Sequence, residues 1–328
     1  MELEILLEED VQDGFCGTGI ERSRKMFQMY GVVPPMITPF CENGKVDYEG
    51  LKTLAGFLSE EVDGLFINGS YGGGVLMTEE ERKRVAEVTV NTAGGRVPVI
   101  VQVGTADSLS AGRLTEHAVQ NGAAAVASVG PFYFKHNKDQ LLYYFDALVK
   151  AAKGRAPVYV YNNPQFQGYM MDLDVISDLK EKTGVSGIKD ATFDIQMMAK
   201  YMRLLKSDSF DVALGTEAMW LPACVLGCKA FIPGIANAFP EICRKMFREG
   251  IEGDYEACRK TQFEVNEMRE IMYLARSTQL AIYAMLEIRG ILKCYPRAPF
   301  IPATEEEKAQ IRGRLKELSL LGDSYELS

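Results

Sequence analysis

Hydrophobic positions along this chain follow two patterns that alternate. Short β-branched runs such as Val99–Val103, Val158–Tyr161 and Val212–Leu214 are nearly continuous, as expected of strands covered on both faces. Between the runs, apolar residues recur at helical spacing. Leucines and Phe57 do so in Val46–Ser59, Val85 and Val88 follow the capping sequence Thr78-Glu-Glu-Glu81, and Leu141, Phe145 and Leu148 share one face. The alternation begins at Gly31. Strands are expected at Gly31–Phe40, Gly64–Asn68, Val99–Val103, Ala124–Val129, Val158–Tyr161, Val185–Lys189, Val212–Leu214 and Ala230–Pro233. Helices are expected after each, including Leu173–Glu181, Ile195–Leu205, Glu217–Leu226 and Phe239–Glu249. Eight strand–helix units close naturally into an α/β (β/α)8 barrel. Residues 1–30 precede the repeat as an N-terminal extension, and 31–250 form the barrel. Residues 251–328 form a C-terminal helical appendage packed on it, with a second capping box at Thr304-Glu-Glu-Glu307 and an apolar stripe of Ile311, Leu315 and Leu318.

Charge narrows the range of partners. With 36 basic against 45 acidic residues the net charge is −9, which argues against nucleic acid or an anionic membrane surface and leaves a small molecule as the main partner. No apolar run approaches a membrane span. Seven scattered cysteines and an acidic start without a long apolar core point to reduced thiols in the cytoplasm. The two histidines, His117 and His136, have no ligand spacing with Cys, Asp or Glu, so a metal centre is not expected.

Candidate chemistry gathers at strand ends. Lys189 closes the buried-looking run Val185-Ser-Gly-Ile, where an unpaired ammonium is costly and the amine tends to lose its proton and become a nucleophile. That is the chemistry of a Schiff-base enzyme, and it needs no cofactor. Tyr161 ends the preceding run, and a phenol beside an imine-forming amine can shuttle protons. Tyr133, Tyr161, Lys189 and Glu217 are each 28 residues apart, an interval that fits one βα unit, and with Ser70 they should converge on the bowl at the C-terminal strand ends. The turn Gly69-Ser-Tyr-Gly-Gly-Gly74 lacks the Lys-Ser/Thr ending of a phosphate loop, but its amides and hydroxyl suit a small carboxylate.

Four motifs together carry a family resemblance: Gly69-Ser-Tyr-Gly72, Pro131-Phe-Tyr133, Tyr161-Asn-Asn-Pro164 and Gly187-Ile-Lys-Asp190. From about Gly31 to Leu320 the chain resembles the dihydrodipicolinate synthase / N-acetylneuraminate lyase family of pyruvate-dependent class I aldolases. The resemblance implies that Lys189 forms the Schiff base with pyruvate. It implies that Tyr161 passes protons through Ser70 to Tyr133, and that Tyr133 is lent by a neighbouring subunit of a homotetramer built as a pair of dimers. The pyruvate carboxylate would lie on the Ser70 and Tyr71 amides beside Gly69, with Phe166, Glu217, Ile232 and Gly234 lining the acceptor side.

Departures bear on the substrate. Tyr71 replaces a threonine, and Gly73 stands where the family usually has Glu. Phe166 takes the place of an arginine that grips aspartate semialdehyde, and Ala218 and Gly234 replace a glutamate and a serine that serve sugar hydroxyls. These changes point to a 2-oxo acid such as a 2-keto-3-deoxy sugar acid, with a short or less polar aldehyde partner and Glu217 as hydroxyl acceptor. The alternatives are synthase or sialic acid lyase activity, a dehydratase, or a non-catalytic barrel that binds a 2-oxo acid.

Overall fold

The computed structural model describes residues 26–321, so the extension read at 1–30 lies mostly outside the described residues. Eight parallel strands form one sheet: β1 (Gly31–Val32), β2 (Leu65–Ile67), β3 (Val99–Gln102), β4 (Ala125–Val129), β5 (Val158–Asn162), β6 (Gly187–Asp190), β7 (Asp211–Leu214) and β8 (Ala230–Phe231). Their order, β1-β8-β7-β6-β5-β4-β3-β2, leaves β1 and β2 at the two ends. A parallel bridge from Pro35 to Phe66 joins those ends, with Met36 N–H donating to Phe66 C=O at 2.9 Å and Phe66 N–H to Pro34 C=O at 3.0 Å. The barrel is closed. β1 is shorter than expected because Pro34 and Pro35 have no N–H to give the ladder.

The helices follow the strands in turn: α1 (Tyr48–Glu61), α2 (Glu79–Ala93), α3 (Ser108–Gln120), α4 (Lys138–Ala152), α5 (Pro164–Gln167), α6 (Leu173–Thr183), α7 (Ile195–Leu204), α8 (Trp220–Val225) and α9 (Pro240–Glu252). Both capping boxes form, at Thr78/Glu81 and Thr304/Glu307. The helix expected from Glu217 starts only at Trp220. Thr216 Oγ1 accepts the Ala218 N–H and Gln262 takes the Glu217 carbonyl, which holds residues 216–218 in a turn. Asn163 caps α5 and Pro164 occupies its first turn, so the Asn-Pro pair starts a short helix that the hydrophobic pattern does not mark. Three further helices, α10 (Tyr255–Met272), α11 (Thr278–Ile288) and α12 (Glu305–Glu317), pack on one another and on α8, α9 and the segment after β8. Ile311 and Leu315 are fully buried.

The core has two layers. Small and aromatic side chains, among them Ala125, Ala127, Ala213, Phe66, Tyr159 and Tyr161, fill the barrel interior, and a larger shell packs between sheet and helices. At the N-terminal strand ends the buried carboxylate of Asp211 takes three donors: Met29 N–H at 2.9 Å, the Tyr159 hydroxyl at 2.9 Å and Lys206 Nζ at 2.6 Å. It ties the segment entering β1 to β5 and β7. Asp211→Ala strands buried donors and is expected to lower stability by about 2–4 kcal/mol. Urea unfolding measures this, and a loss under about 1 kcal/mol would show that the bond network is dispensable.

Candidate active site

Tyr161 and Lys189 are register partners on adjacent strands, so their 28-residue interval is one βα unit stepped across the sheet. The interval does not extend further. Tyr161 pairs with Val129 on β4, and Lys189 with Ala213 on β7, so Tyr133 and Glu217 each lie four residues past the matching position. Alternation along β6 turns Lys189 into the barrel and its neighbour Asp190 outward, where the Asp190 carboxylate accepts from Thr192 N–H and Oγ1 at 3.2 Å each.

Lys189 is 2% exposed. Its Nζ sits 3.8 Å from the centre of the Tyr161 ring and 4.0 Å from that of Phe66, and forms no salt bridge among the described residues. Ring faces attract a cation, but the loss of water outweighs them, and burial brings the amine down to about 7. Beside it the Tyr161 hydroxyl accepts from Asn163 Nδ2 at 3.1 Å and meets Ser70 Oγ at 3.5 Å, with burial holding the phenol above its ordinary range.

Ser70 belongs to the turn after β2. Gly73 takes a left-handed φ of 61° to start a 3-10 turn over Gly74–Leu76, a conformation that glycine adopts without strain, and a methyl on Gly74 would lie 2.0 Å from the Asn68 carbonyl oxygen. Among the described residues the Ser70 and Tyr71 amides donate to no protein acceptor. Arg82 braces the turn from below. It is 4% exposed and donates to the Gly104 and Gln102 carbonyls at 3.1 and 2.9 Å, while its own carbonyl takes Asn68 Nδ2 at 3.0 Å.

A cavity of about 670 Å³ opens over these groups. Ser70, Tyr71, Tyr161, Phe166, Lys189, Glu217, Ile232 and Gly234 all line it; Gly69 is buried at the base of the turn, where an added methyl would lie 3.0 Å from the Phe66 ring. Tyr133 does not join them. It is 88% exposed, stacks edge-on against Phe134, and projects from the β4–α4 loop at a φ of 82°. Convergence of five side chains within one chain is therefore corrected to four.

Two further expectations change. Glu217 is not an unengaged acceptor: it is 1% exposed, Arg269 Nη1 donates to it at 2.6 Å, and the Gly234 N–H donates at 3.1 Å. Nor is the acceptor side without guanidinium groups: Arg269, paired with Glu217, and Arg276, paired with Glu307, both line the cavity. Arg269 comes from α10, Arg276 and Ser277 from the turn before α11, and Thr278 and Gln279 from the first turn of α11, and no local motif linked that distant segment to the bowl. Tyr71 and Gly234, which read as two separate departures in the sequence, are one contact: a methyl at Gly234 would lie 2.4 Å from the Tyr71 hydroxyl oxygen. Burial and the Glu217 carboxylate both push the Tyr71 phenol up.

Closed barrel, buried amine and adjoining phenol describe a Schiff-base lyase, and comparison with known proteins agrees. A model of the dihydrodipicolinate synthetase family matches residues 28–318, and the chain belongs to that family. It is 32% identical over 291 residues to a 4-hydroxy-tetrahydrodipicolinate synthase of Methanospirillum hungatei JF-1, covering 88% of this chain and 97% of that one. Another synthase of that name, from Methanothermobacter thermautotrophicus, is 30% identical over 276 residues, covering 82% and 97%. Among solved structures, YagE, a prophage protein of the dihydrodipicolinic acid synthase family from E. coli K12 in complex with pyruvate, superposes with a TM-score of 0.85 at 25% identity, covering 89% of this chain and 99% of that one. The protein is an enzyme of this class I, carbon–carbon lyase type.

The Tyr71–Gly234 contact makes a specific demand. Gly234→Ser overfills the wall and should cost about 1–3 kcal/mol, while Tyr71→Thr in the same chain makes room and should recover most of it. Denaturation of the two single variants and the double variant reads the coupling; losses that simply add would show that the two positions are independent.

Proposed function

We propose that this enzyme is a pyruvate-dependent aldolase that makes or cleaves a 2-oxo acid such as a 2-keto-3-deoxy sugar acid. The observation that carries the reading is the amine of Lys189, buried between two aromatic faces without a carboxylate partner and brought down to about 7. A large fraction of such an amine is neutral near pH 7. It attacks the pyruvate ketone, the carbinolamine loses water, and the resulting iminium draws electrons from C3 as a methyl proton leaves. The enamine then adds to the aldehyde carbon, and hydrolysis frees Lys189. Cleavage runs the same steps in reverse.

In this reading the Ser70 and Tyr71 amides hold the pyruvate carboxylate, supported by their unspent donors at the cavity wall. Tyr161 moves the protons. Asn163 fills one lone pair of the phenol oxygen, leaving the phenolic hydrogen for Ser70 or the reacting oxygen. The exposed ring of Tyr133 suits a side chain lent to a neighbouring subunit, in keeping with a homotetramer of paired dimers. Six described cysteines without a disulfide fit a reducing, cytoplasmic setting. Among the described residues no helix is long and apolar enough to cross a membrane.

Pyruvate with cyanoborohydride is expected to leave one reduced adduct, on the peptide containing Lys189. An adduct elsewhere, or none, would end the Schiff-base reading. Because only the unprotonated amine attacks, the trapping rate should rise with pH to half its maximum near the amine's value of about 7 and level off above it. A rate still climbing beyond about pH 9 would place Lys189 in the range of an ordinary lysine. Tyr161→Phe should lower turnover by ~10²–10⁴ while trapping persists more slowly; an unchanged kcat would reassign Tyr161 to packing.

A further inference from the structure

Asn163 reaches the proton-carrying oxygen of the site from a position that the backbone fixes. Alternation along β5 turns Tyr161 into the barrel and Asn162 outward to the Met171 carbonyl, and the next residue, Asn163, comes back to the mouth, where it lines the cavity at 6% exposure. Its side chain is engaged at both ends. Oδ1 accepts the Gln165 N–H at 3.1 Å as the N-cap of α5, and Nδ2 donates to the Tyr161 hydroxyl oxygen at 3.1 Å. The cap decides which way round the amide sits, because a backbone N–H needs its oxygen and not its NH2. Asn163 is therefore a donor to the phenol.

The backbone of Asn163 is held as well. Gln167 Oε1 accepts the Asn163 and Gly130 N–H groups at 3.3 Å each, while its Nε2 donates to Asn162 Oδ1 at 2.9 Å and to the Tyr169 carbonyl at 2.8 Å. Turning the amide away from the phenol would break the cap. Ser70 is the other group at this oxygen, but at 3.5 Å it lies at the limit of a hydrogen bond, and a relay needs it to accept the phenolic proton. The steady donor is Asn163.

We infer that Asn163 is a further catalytic residue, the fixed donor that stabilises the Tyr161 phenolate formed while its proton is away. This rests on the Schiff-base reading and deepens it. In that reading Tyr161 gives its hydroxyl proton to the carbinolamine oxygen, which leaves as water while the nitrogen lone pair forms the C=N bond. The phenolate then takes a proton from C3; the C–H electron pair becomes the C=C bond of the enamine, and the C=N π pair returns to nitrogen. Tyr161 ends the step neutral. Between the two transfers its oxygen is a buried anion, which is costly without a donor, and an N–H already aimed at it needs no reorganisation.

Pyruvate alone in D2O tests this without any acceptor aldehyde. Each enamine formed exchanges a methyl proton, and NMR follows the loss of the methyl signal. Asn163→Ser and Asn163→Thr both keep an oxygen to cap α5, and both are too short to donate to the phenol. Each should lower the enzyme-catalysed exchange rate by about 10- to 100-fold, the range of a hydrogen bond to a charged group. The pH of half-maximal exchange should rise by about one to two units, while that of trapping at Lys189 stays in place. A role in capping or packing alone would slow exchange and trapping together and leave both midpoints unmoved. Thr fills more of the vacated space, so it carries the test if the Ser variant does not fold. Exchange that stays near the native rate, or slows with an unmoved midpoint, would overturn the proposal. With a Lys189 adduct in the native enzyme, that result sinks this inference alone; with no adduct, the Schiff-base reading falls and takes this one with it.

Discussion

An amine buried without a counter-charge is the constraint on which the rest of this structure depends. Nothing among the described residues neutralises Lys189, so its place must be fixed by shape. Phe66 on β2 and Tyr161 on β5 hold it from two sides, and Tyr161 is its register partner. Below, Gly187 leaves the inward face of β6 open, because a methyl there would lie 2.4 Å from the Tyr159 ring. The alanines at 125, 127, 191, 213 and 230 keep the barrel interior narrow, so that a few aromatic rings fill it. Tyr159 is in turn fastened by Asp211, which also binds the segment leading into β1. Strand closure, interior volume and the state of the amine are thus linked.

The helices beyond the barrel are part of the site. Gln262 on α10 holds both the Glu217 carbonyl, at 2.9 Å, and the Leu221 amide, at 3.0 Å. Arg269, about two turns further along the same helix, engages the Glu217 carboxylate. Tyr283 on α11 donates to Thr38 C=O at 2.7 Å, and Arg297 reaches Glu81 with two bonds of 2.6 Å just past the Ser70 turn. These contacts set the acceptor wall from outside the eight units. A barrel without this region would have no Arg269, no Arg276 and no guanidinium partner for Glu217.

Strand and helix order was legible because both faces of each strand are buried, which writes itself into sequence as continuous apolar runs. Lys189 and Tyr161 were legible for a related reason: an ionisable side chain at the end of a buried run is costly unless the protein uses it. The register then shows why the 28-residue spacing was partly misleading. It tracks geometry between β5 and β6, but Tyr133 and Glu217 lie in loops, where distance along the chain no longer measures position. What could not be read was the charge of the cavity. Arg269 is 80 residues beyond Lys189 on a helix whose polar face looks ordinary, and its role follows from which neighbour it meets.

The same point applies to the departures on the acceptor side. Taken singly, Gly234 and Tyr71 each looked like a lost handle. In space the ring of Tyr71 takes the volume that a side chain at 234 would need, so one change requires the other. Phe166, half exposed at the cavity rim, stands where the resemblance implies a guanidinium, while Arg269, paired with Glu217, and Arg276, paired with Glu307, line the cavity from another direction. A wall rebuilt in this way need not recognise less than its relatives do. It presents its guanidinium groups from the region after the barrel instead of from the β5 loop. The amine and phenol that perform the proposed chemistry stay in register on β5 and β6, where neither change reaches them.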